Sequence, residues 1–245
     1  MVIFMEKSIK TADIFKTLEQ KIPGLNKPGL ILLAARPGMG KTSLALNLAL
    51  SAAKETTAAV FSLEMPREKL ISRFLSPVTP GKDHRPYIET VQIDDSPLLT
   101  VADIYAKCCR IDNLGLVVID YLQLITPADG QNQDGKTRRQ AVSDISRTLK
   151  TMAKELNVPV ICLSQLSRAV EKRDNKRPVL SDFREFGAAV QEADIVLFLY
   201  RDDYYIEESK KRNIAKCIIA KNLHGEIGTL ELRWIPEYAR FFMLD

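Results

Sequence analysis

Histidine, tryptophan and long apolar runs are scarce in this 245-residue chain, which contains 2 histidines and 1 tryptophan. Two histidines, and 4 cysteines without a Cys-x-x-Cys spacing, argue against a zinc site. No apolar run approaches the roughly 18 residues of a membrane span, and Glu6-Lys7 brings charge too early for a secretory signal. Lysine and arginine total 35 against 31 acidic residues, so the net charge of +4 permits nucleic acid as a partner without demanding it. We expect a cytoplasmic protein with reduced thiols and no contact with a membrane.

The stretch Ala-Arg-Pro-Gly-Met-Gly-Lys-Thr at 35–42 has the pattern of a phosphate-binding P-loop. The apolar run 30–34 before it and the helical composition of 43–49 after it supply the strand–loop–helix context that the motif requires. Its glycines would turn backbone N–H groups onto phosphates, Lys41 would reach the β- and γ-phosphates, and the Thr42 hydroxyl would hold Mg²⁺. We therefore predict that a nucleoside triphosphate binds here. The predicted binding residues are Arg36, Pro37, Gly38, Met39, Gly40, Lys41, Thr42 and Ser43.

Three polar residues follow the ends of predicted strands. Asp120 ends the apolar run 116–119, which is the Walker B arrangement, and would hold Mg²⁺ beside Thr42. Glu64 is either the base that activates the attacking water or a solvated glutamate at a helix start, and the local sequence leaves both open. Gln165 is placed to sense an intact γ-phosphate and to signal to the loop that follows it.

Apolar strand-like runs alternate with helical patterns along the whole chain, which favours an α/β fold with a mostly parallel central sheet and helices on both faces. The runs are 30–34, 58–62, 116–120, 159–164, 195–200 and 217–220. The clearest helix spans about 137–156, and the tail predicts an antiparallel edge hairpin over 228–235 and 240–244.

Three stretches have the composition of surface loops: 76–85, 126–136 and 168–183. The segment 166–185 holds six basic and four acidic residues. Its excess of positive charge is compatible with phosphate contacts and equally with an ordinary solvated surface.

The motifs also follow one another in a distinctive order. After the P-loop come Phe-Ser-Leu-Glu-Met at 61–65, Val-Ile-Asp-Tyr-Leu-Gln-Leu at 118–124 and Leu-Ser-Gln-Leu-Ser-Arg at 163–168. Lys-Arg-Pro-Val-Leu-Ser-Asp-Phe-Arg-Glu follows at 176–185. From about Gly29 to Asp245, this order resembles the C-terminal RecA-like motor domain of the DnaB family of replicative DNA helicases.

The resemblance implies a RecA-like ATPase domain over 28–245, preceded by an N-terminal stub or linker helix over 1–27. It implies a hexameric ring that hydrolyses ATP with Mg²⁺ at subunit interfaces and moves on single-stranded DNA. In that scheme Glu64 is the general base and Gln165 the sensor. Arg184, Glu185 and Gly187 align with residues that meet the DNA backbone, and the loop 125–139 would face the central channel.

Two departures from the family pattern change these expectations. Where the family carries Lys-x-Arg, whose arginine enters the neighbouring active site, this chain has Lys221-Asn222-Leu223. Lys221 is kept as a catalytic candidate, but slow hydrolysis is expected because an arginine finger contributes about 10³–10⁵ in rate. Arg212 or Arg233 is the alternative finger.

About 28 residues precede the P-loop strand, so the family's N-terminal domain is not expected, and the isolated chain should be a monomer or a weak assembly.

The leading interpretation is a DnaB-like, ATP-dependent DNA helicase motor domain that acts in replication. Two alternatives stay open. One is an accessory or regulatory ATPase that binds nucleotide and DNA, or a replication protein, without unwinding. The other is a recombination ATPase that acts on single strands.

Overall fold

The computed structural model describes residues 14–75, 89–128, 138–206, 208–209 and 211–244. The strands are β1 (Gly29–Ala35), β2 (Thr57–Ser62), β3 (Val91–Asp94), β4 (Leu114–Asp120), β5 (Pro159–Gln165), β6 (Ile195–Arg201), β7 (Ile214–Asn222), β8 (Gly228–Ile235) and β9 (Arg240–Met243). The helices are α1 (Ile14–Lys21), α2 (Lys41–Ala52), α3 (Arg67–Leu75), α4 (Val101–Cys108), α5 (Arg138–Glu155) and α6 (Gly187–Glu192). Short 3₁₀ turns cover Leu122–Leu124, Arg168–Lys172, Leu180–Phe186, Asp202–Tyr204 and Pro236–Tyr238.

All the strands join one sheet in the order β3-β2-β4-β5-β1-β6-β7-β8-β9. The first six in this order run parallel, and β7, β8 and β9 add antiparallel strands at one edge. The α/β prediction and the C-terminal hairpin are therefore confirmed. Every residue of β1 is buried, as expected for a central parallel strand covered on both faces.

The sheet register brings the ends of four parallel strands to one edge. Ala35 at the end of β1 pairs with Gln165 at the end of β5, and Ser62 at the end of β2 pairs with Asp120 at the end of β4. Open α/β sheets bind their ligands in the crevice beyond such strand ends. The fold therefore gathers residues far apart in sequence at one place.

Helix α5 confirms the strongest helix prediction and ends one residue before the predicted end; residue 137, the predicted start, lies outside the described residues. Its apolar stripe, Ile145, Leu149 and Met152, is buried. Asn157 adopts a left-handed conformation (φ 56°) just beyond the helix, and Val158 N–H donates to the carbonyl of Ala153. This geometry terminates the helix.

Several segments differ from their predictions or lie outside the described residues. The stretch 168–183, predicted to be a surface loop, is mostly exposed or half-buried and holds one 3₁₀ turn and the start of a second, which contains Asp182, 5% exposed. Strand β3 was not predicted because four residues, Val-Gln-Ile-Asp, give a weak alternating pattern. The predicted loop 76–85, most of the channel loop 125–139 and the first residues of the predicted linker helix lie outside the described residues.

Candidate nucleotide-binding site

The P-loop joins β1 to α2 through two glycines with left-handed backbones. Gly38 has φ 80° and Gly40 has φ 94°, a region that side-chain-bearing residues rarely adopt. Gly40 is the N-cap of α2, and no side chain caps this end of the helix. The first N–H groups of a 12-residue helix therefore face the loop, as an anion site requires.

A cavity of about 410 Å³ opens beside the P-loop. Its walls include the P-loop backbone and three residues from other strand ends: Glu64, Gln165 and Trp234. The predicted residues Lys41, Thr42 and Ser43 line it as well. The side chain of Met39, by contrast, is 1% exposed in the core, so Met39 could reach a ligand only through its backbone.

Thr42 and Asp120 are in direct contact beneath this cavity. The Thr42 hydroxyl donates to Oδ2 of Asp120 at 2.7 Å. The other carboxylate oxygen, Oδ1, is buried and has no hydrogen-bond partner among the described residues. Mg²⁺ prefers hard oxygen ligands and binds through one or two protein oxygens together with phosphate oxygens and water. The unpartnered Oδ1 beside a hydroxyl fits this preference.

No group of three or more potential metal-ligating side chains occurs within the described part of the chain. A site that supplies one carboxylate and one hydroxyl, and takes its remaining ligands from a triphosphate, agrees with that finding. Thr42 and Asp120 are the residues that would hold the ion.

Lys41 lies between the P-loop and the end of β4. Its ammonium is 5.0 Å from the centroid of the Tyr121 ring. Burial lowers the pKa of Lys41, while Asp120 and Glu64 act in the opposite direction. The ammonium is thus poorly hydrated and flanked by two carboxylates, and a bound phosphate would stabilise its charge further.

Glu64 is presented to the cavity by a turn that Ser62 closes. The Ser62 hydroxyl donates to the carbonyl of Met65 at 2.7 Å and accepts from the Met65 N–H at 3.3 Å. Glu64 itself is exposed, as a group that must reach water and substrate would be. Sequence reasoning identified Glu64 but missed Ser62, whose role depends on a local hydrogen bond.

Gln165 is held in place by Gln123, a second residue that the sequence did not single out. The Gln123 amide nitrogen donates to the Ser164 hydroxyl at 3.0 Å and to the Gln165 carbonyl at 3.2 Å. These bonds join the 3₁₀ turn after β4 to the end of β5. The side chain of Gln165 remains exposed and lines both the nucleotide cavity and a second one.

The second cavity, of about 540 Å³, contains the predicted DNA-contacting residues Arg184 and Glu185. Arg184 has φ 49° and ψ −114°, an unusual conformation for a residue with a side chain. Arg138 lies 3.6 Å from Glu185 and 5.1 Å from the centroid of the Phe186 ring. Gly187 begins α6, and a Cβ added there would meet nothing within 4 Å.

Arg36 behaves differently from the rest of the P-loop. Its guanidinium donates to the carbonyl of Leu166 at 2.8 Å and to the carboxylate of Glu171 at 2.9 Å. The side chain is thus committed to the segment after β5, and its backbone is the part that faces a ligand.

Lys221 lies toward the amino-terminal ends of the parallel strands, whereas the P-loop follows the carboxyl end of β1. It pairs with Val196 near the start of β6, and its ammonium donates to the carbonyls of Val190 and Gln191 at 2.8 and 2.9 Å. Leu223, two residues on, is 59% exposed. Neither can act on a phosphate bound at the P-loop of the same chain.

The C-terminal hairpin forms a wall that the sequence did not predict. Phe241 N–H donates to the buried Asn47 side chain of α2 at 2.7 Å, which fastens β9 to the P-loop helix. The rings of Trp234 and Phe241 are 4.4 Å apart, and Phe241 faces Gly40. The apolar side of the nucleotide cavity therefore comes from the last strands.

The protein family of DnaB-like helicase C-terminal domains matches residues 10–84 and 82–243. The replicative DNA helicase DnaB of Geobacillus stearothermophilus is 44% identical over 94% of this chain and 56% of its own length. The replicative DNA helicase DnaC of Bacillus subtilis is 43% identical with the same coverage. The chain therefore spans about half the length of the curated relatives that it matches.

Solved structures agree with these similarities. The ATPase domain of G40P superposes with a TM-score of 0.84 at 36% identity, covering 96% of this chain and 91% of that one. A DnaB-like replicative helicase, described together with its interactions with primase, has a TM-score of 0.81 at 38% identity and covers 90% and 58%. The RadB recombinase, at 18% identity and a TM-score of 0.63, shares the fold alone. Across the described residues, no helix is both long and apolar enough to span a bilayer.

Proposed function

Because the chain belongs to the family of DnaB-like helicase C-terminal domains, we propose that it is an ATP-dependent DNA helicase motor domain acting in replication. Residues 28–245 form the RecA-like ATPase domain, and 1–27 serve as a stub or linker helix. The observation that carries the proposal is the contact of Asp120, whose other carboxylate oxygen is buried and unpartnered among the described residues, with Thr42. Thr42 lines the same cavity as Lys41 and Glu64.

The proposed chemistry is hydrolysis of ATP at its γ-phosphate. The α2 N-terminus and the P-loop backbone bind the phosphates, and Lys41 neutralises charge on the β- and γ-groups. Thr42 and Asp120 would hold Mg²⁺, which would supply positive charge against the phosphates. Glu64 takes the proton of the attacking water, since its exposed carboxylate lines the same cavity. Gln165 senses the γ-phosphate from the wall that the two cavities share.

Single-stranded DNA is the proposed polymer substrate. Arg184 supplies a cation for phosphate, Gly187 leaves space for a close backbone approach, and Glu185 orients Arg138 through their ion pair. Contacts of this kind bind phosphates and carry no base sequence.

The proposed assembly is a hexameric ring when nucleotide and DNA are present, with a monomer dominant in isolation. Lys221, on the edge away from the P-loop, would face the nucleotide of the next subunit. The exposed Leu223 beside it supplies no guanidinium, so hydrolysis should be weak. Replication proteins are proposed partners, and the cytoplasm is the proposed location.

Two substitutions test the nucleotide chemistry. Lys41→Ala should abolish ATP hydrolysis and weaken ATP binding, because it removes the cation that the P-loop supplies. Glu64→Gln should bind ATP as the parent does while losing turnover. Equal hydrolysis by Glu64→Gln and the parent would remove Glu64 from the role of base.

An unwinding assay separates the helicase from its rival. The accessory-protein alternative draws on the leucine at position 223 and predicts binding of single strands without displacement of a duplex. Strand displacement by the chain in the presence of ATP and Mg²⁺ would exclude that alternative. Failure to bind single-stranded DNA at low salt would overturn the helicase proposal.

A further inference from the structure

Arg36 ties the P-loop to the segment that follows β5. Its guanidinium donates to the Leu166 carbonyl at 2.8 Å and to Glu171, with N–O distances of 2.9 and 2.8 Å. The side chain of Arg36 is 8% exposed and that of Glu171 41%. Removing one partner of such a pair leaves a poorly hydrated charge without compensation. The P-loop and this segment should therefore move together.

Residues 166–186, termed here the bridging segment, are themselves closely cross-linked. The Arg173 guanidinium donates to both carboxylate oxygens of Asp182 at 2.8 and 2.9 Å and to the Arg177 carbonyl at 2.9 Å. Ser167 N–H donates to the carbonyl of Asp182 at 3.2 Å. The bonds to Asp182 tie the two ends of the first 3₁₀ turn to the second.

The far end of the bridging segment carries Arg184. Phe183, just before it, is 2% exposed and packs on the ring of Phe198 with a centroid distance of 5.7 Å. A continuous path therefore leads from Glu171 along its 3₁₀ turn to Arg173, across the ion pair to Asp182 and along the backbone to Arg184. Packed and hydrogen-bonded elements of this kind carry energetic coupling between sites.

We propose that Arg36 and Glu171 are positioning residues that couple nucleotide occupancy of the P-loop to the placement of Arg184 on a nucleic-acid phosphate. The inference rests on the proposed function for its two ligands. Besides the route through Gln165, it adds a second connection between the nucleotide and the bridging segment, and this one begins at the P-loop itself. Coupling must be reciprocal, so DNA should tighten nucleotide binding by the same factor as nucleotide tightens DNA binding.

The test uses Glu171→Ala in the full chain. The affinity for a fluorescent oligothymidylate is measured with and without a non-hydrolysable ATP analogue and Mg²⁺, and the ratio gives the coupling factor. We expect Glu171→Ala to reduce this factor by about fivefold or more, with the affinity for each ligand alone close to that of the parent. Glu171→Gln keeps an acceptor oxygen for Arg36 and should retain part of the coupling.

Glu231→Ala is the matched control. It removes the β8 carboxylate that pairs with Lys211. Neither residue lines either cavity, so the coupling factor should stay unchanged. Thermal unfolding of each variant separates a loss of coupling from a loss of stability. If Glu171→Ala does not fold, Glu171→Gln carries the comparison.

Amide hydrogen exchange measured with the ATP analogue and without DNA tests the link between the P-loop and the bridging segment independently of DNA binding. In the parent, the ATP analogue should slow amide hydrogen exchange both in the P-loop and in the bridging segment. In Glu171→Ala the P-loop should remain protected while the bridging segment loses its response. The inference would be overturned if the ATP analogue slowed exchange of the bridging segment in Glu171→Ala as much as in the parent. It would also be overturned if the parent bound nucleotide without any change of exchange in that segment. A parent that binds nucleotide but no DNA would overturn the proposed DNA substrate, and the exchange result would still decide the link.

Discussion

Gly40→Ala offers a direct test of how the P-loop depends on its glycine backbone. Gly40 has φ 94° and ψ 21° as the N-cap of α2, and an L-residue in the left-handed region costs about 1–2 kcal/mol. A Cβ there would lie 2.7 Å from Cζ of Phe241 and 3.1 Å from its Cε2. Phe241 is 2% exposed, so its ring has little room to move, and overpacking of this kind costs about 1–3 kcal/mol.

Together these two effects should lower the free energy of unfolding by about 2–5 kcal/mol. For a chain of this size, that corresponds to a fall in the midpoint of thermal unfolding of roughly 4–20 °C. The helix start would also shift away from the phosphates. A displacement of about 1 Å at a reacting group can reduce a rate about a hundredfold, so ATP hydrolysis should fall further than stability alone would require.

The assay is thermal unfolding together with ATP binding, with Gly228→Ala as the control. A Cβ added at Gly228 meets nothing within 4 Å, so that variant should match the parent in both measurements. Adding Phe241→Leu to Gly40→Ala should relieve the steric clash but not the backbone strain. The double-mutant cycle isolates the pairwise part. If Gly40→Ala has the same midpoint of thermal unfolding as Gly228→Ala and binds ATP with the affinity of the parent, the reasoning is refuted.

Three further predictions concern single side chains. Binding of ATP should take up protons in alkaline buffer, because burial lowers the pKa of Lys41 in the free protein and a bound phosphate raises it. The affinity for ATP should therefore fall as the pH rises through the pKa of Lys41 in the free protein. Calorimetry in two buffers of different ionisation enthalpy measures the uptake, and observed binding heats that are the same in both buffers would contradict it. Leu223→Arg should raise ATP hydrolysis at least tenfold if a ring forms, as a finger contributes about 10³–10⁵ where it operates. Strong DNA-stimulated hydrolysis that Leu223→Arg leaves unchanged, and that replacing Arg212 or Arg233 abolishes, would assign the finger elsewhere. Arg184→Ala should weaken binding to single strands of any base composition and reduce the salt slope by about 0.7; titrations of oligothymidylate and a mixed sequence at several salt concentrations check this, and a change confined to one sequence would contradict it.

The sequence was sufficient to predict the fold class and the grouping of Lys41, Asp120 and Gln165 at one edge. Each follows a buried apolar run, and parallel strands end at the same side of a sheet. Local pattern and a known motif were enough for this grouping. The catalytic and ligand-binding roles of these residues remain predictions.

The contacts that shape the site could not be predicted in the same way. Asn47 meets Phe241 across 194 residues, and Arg36 meets Glu171 across 135. Such pairs leave no periodic or spacing signal, because each partner is an ordinary residue in its own element. The positive charge of segment 166–185 suggested phosphate contacts or plain solvation, whereas one of its arginines, Arg173, instead holds the segment together through Asp182.

The aromatic wall of the nucleotide cavity gives the protein its own optical reporter. Trp234 is the single tryptophan of the sequence, and it lines the cavity with the Arg201 guanidinium 5.4 Å from its ring centroid. All indole emission from the unlabelled chain therefore originates beside the P-loop. Because a triphosphate brings negative charge close to a ring that already faces a cation, its arrival should change the intensity or wavelength of that emission. Occupancy can thus be followed in stopped-flow experiments without any attached dye.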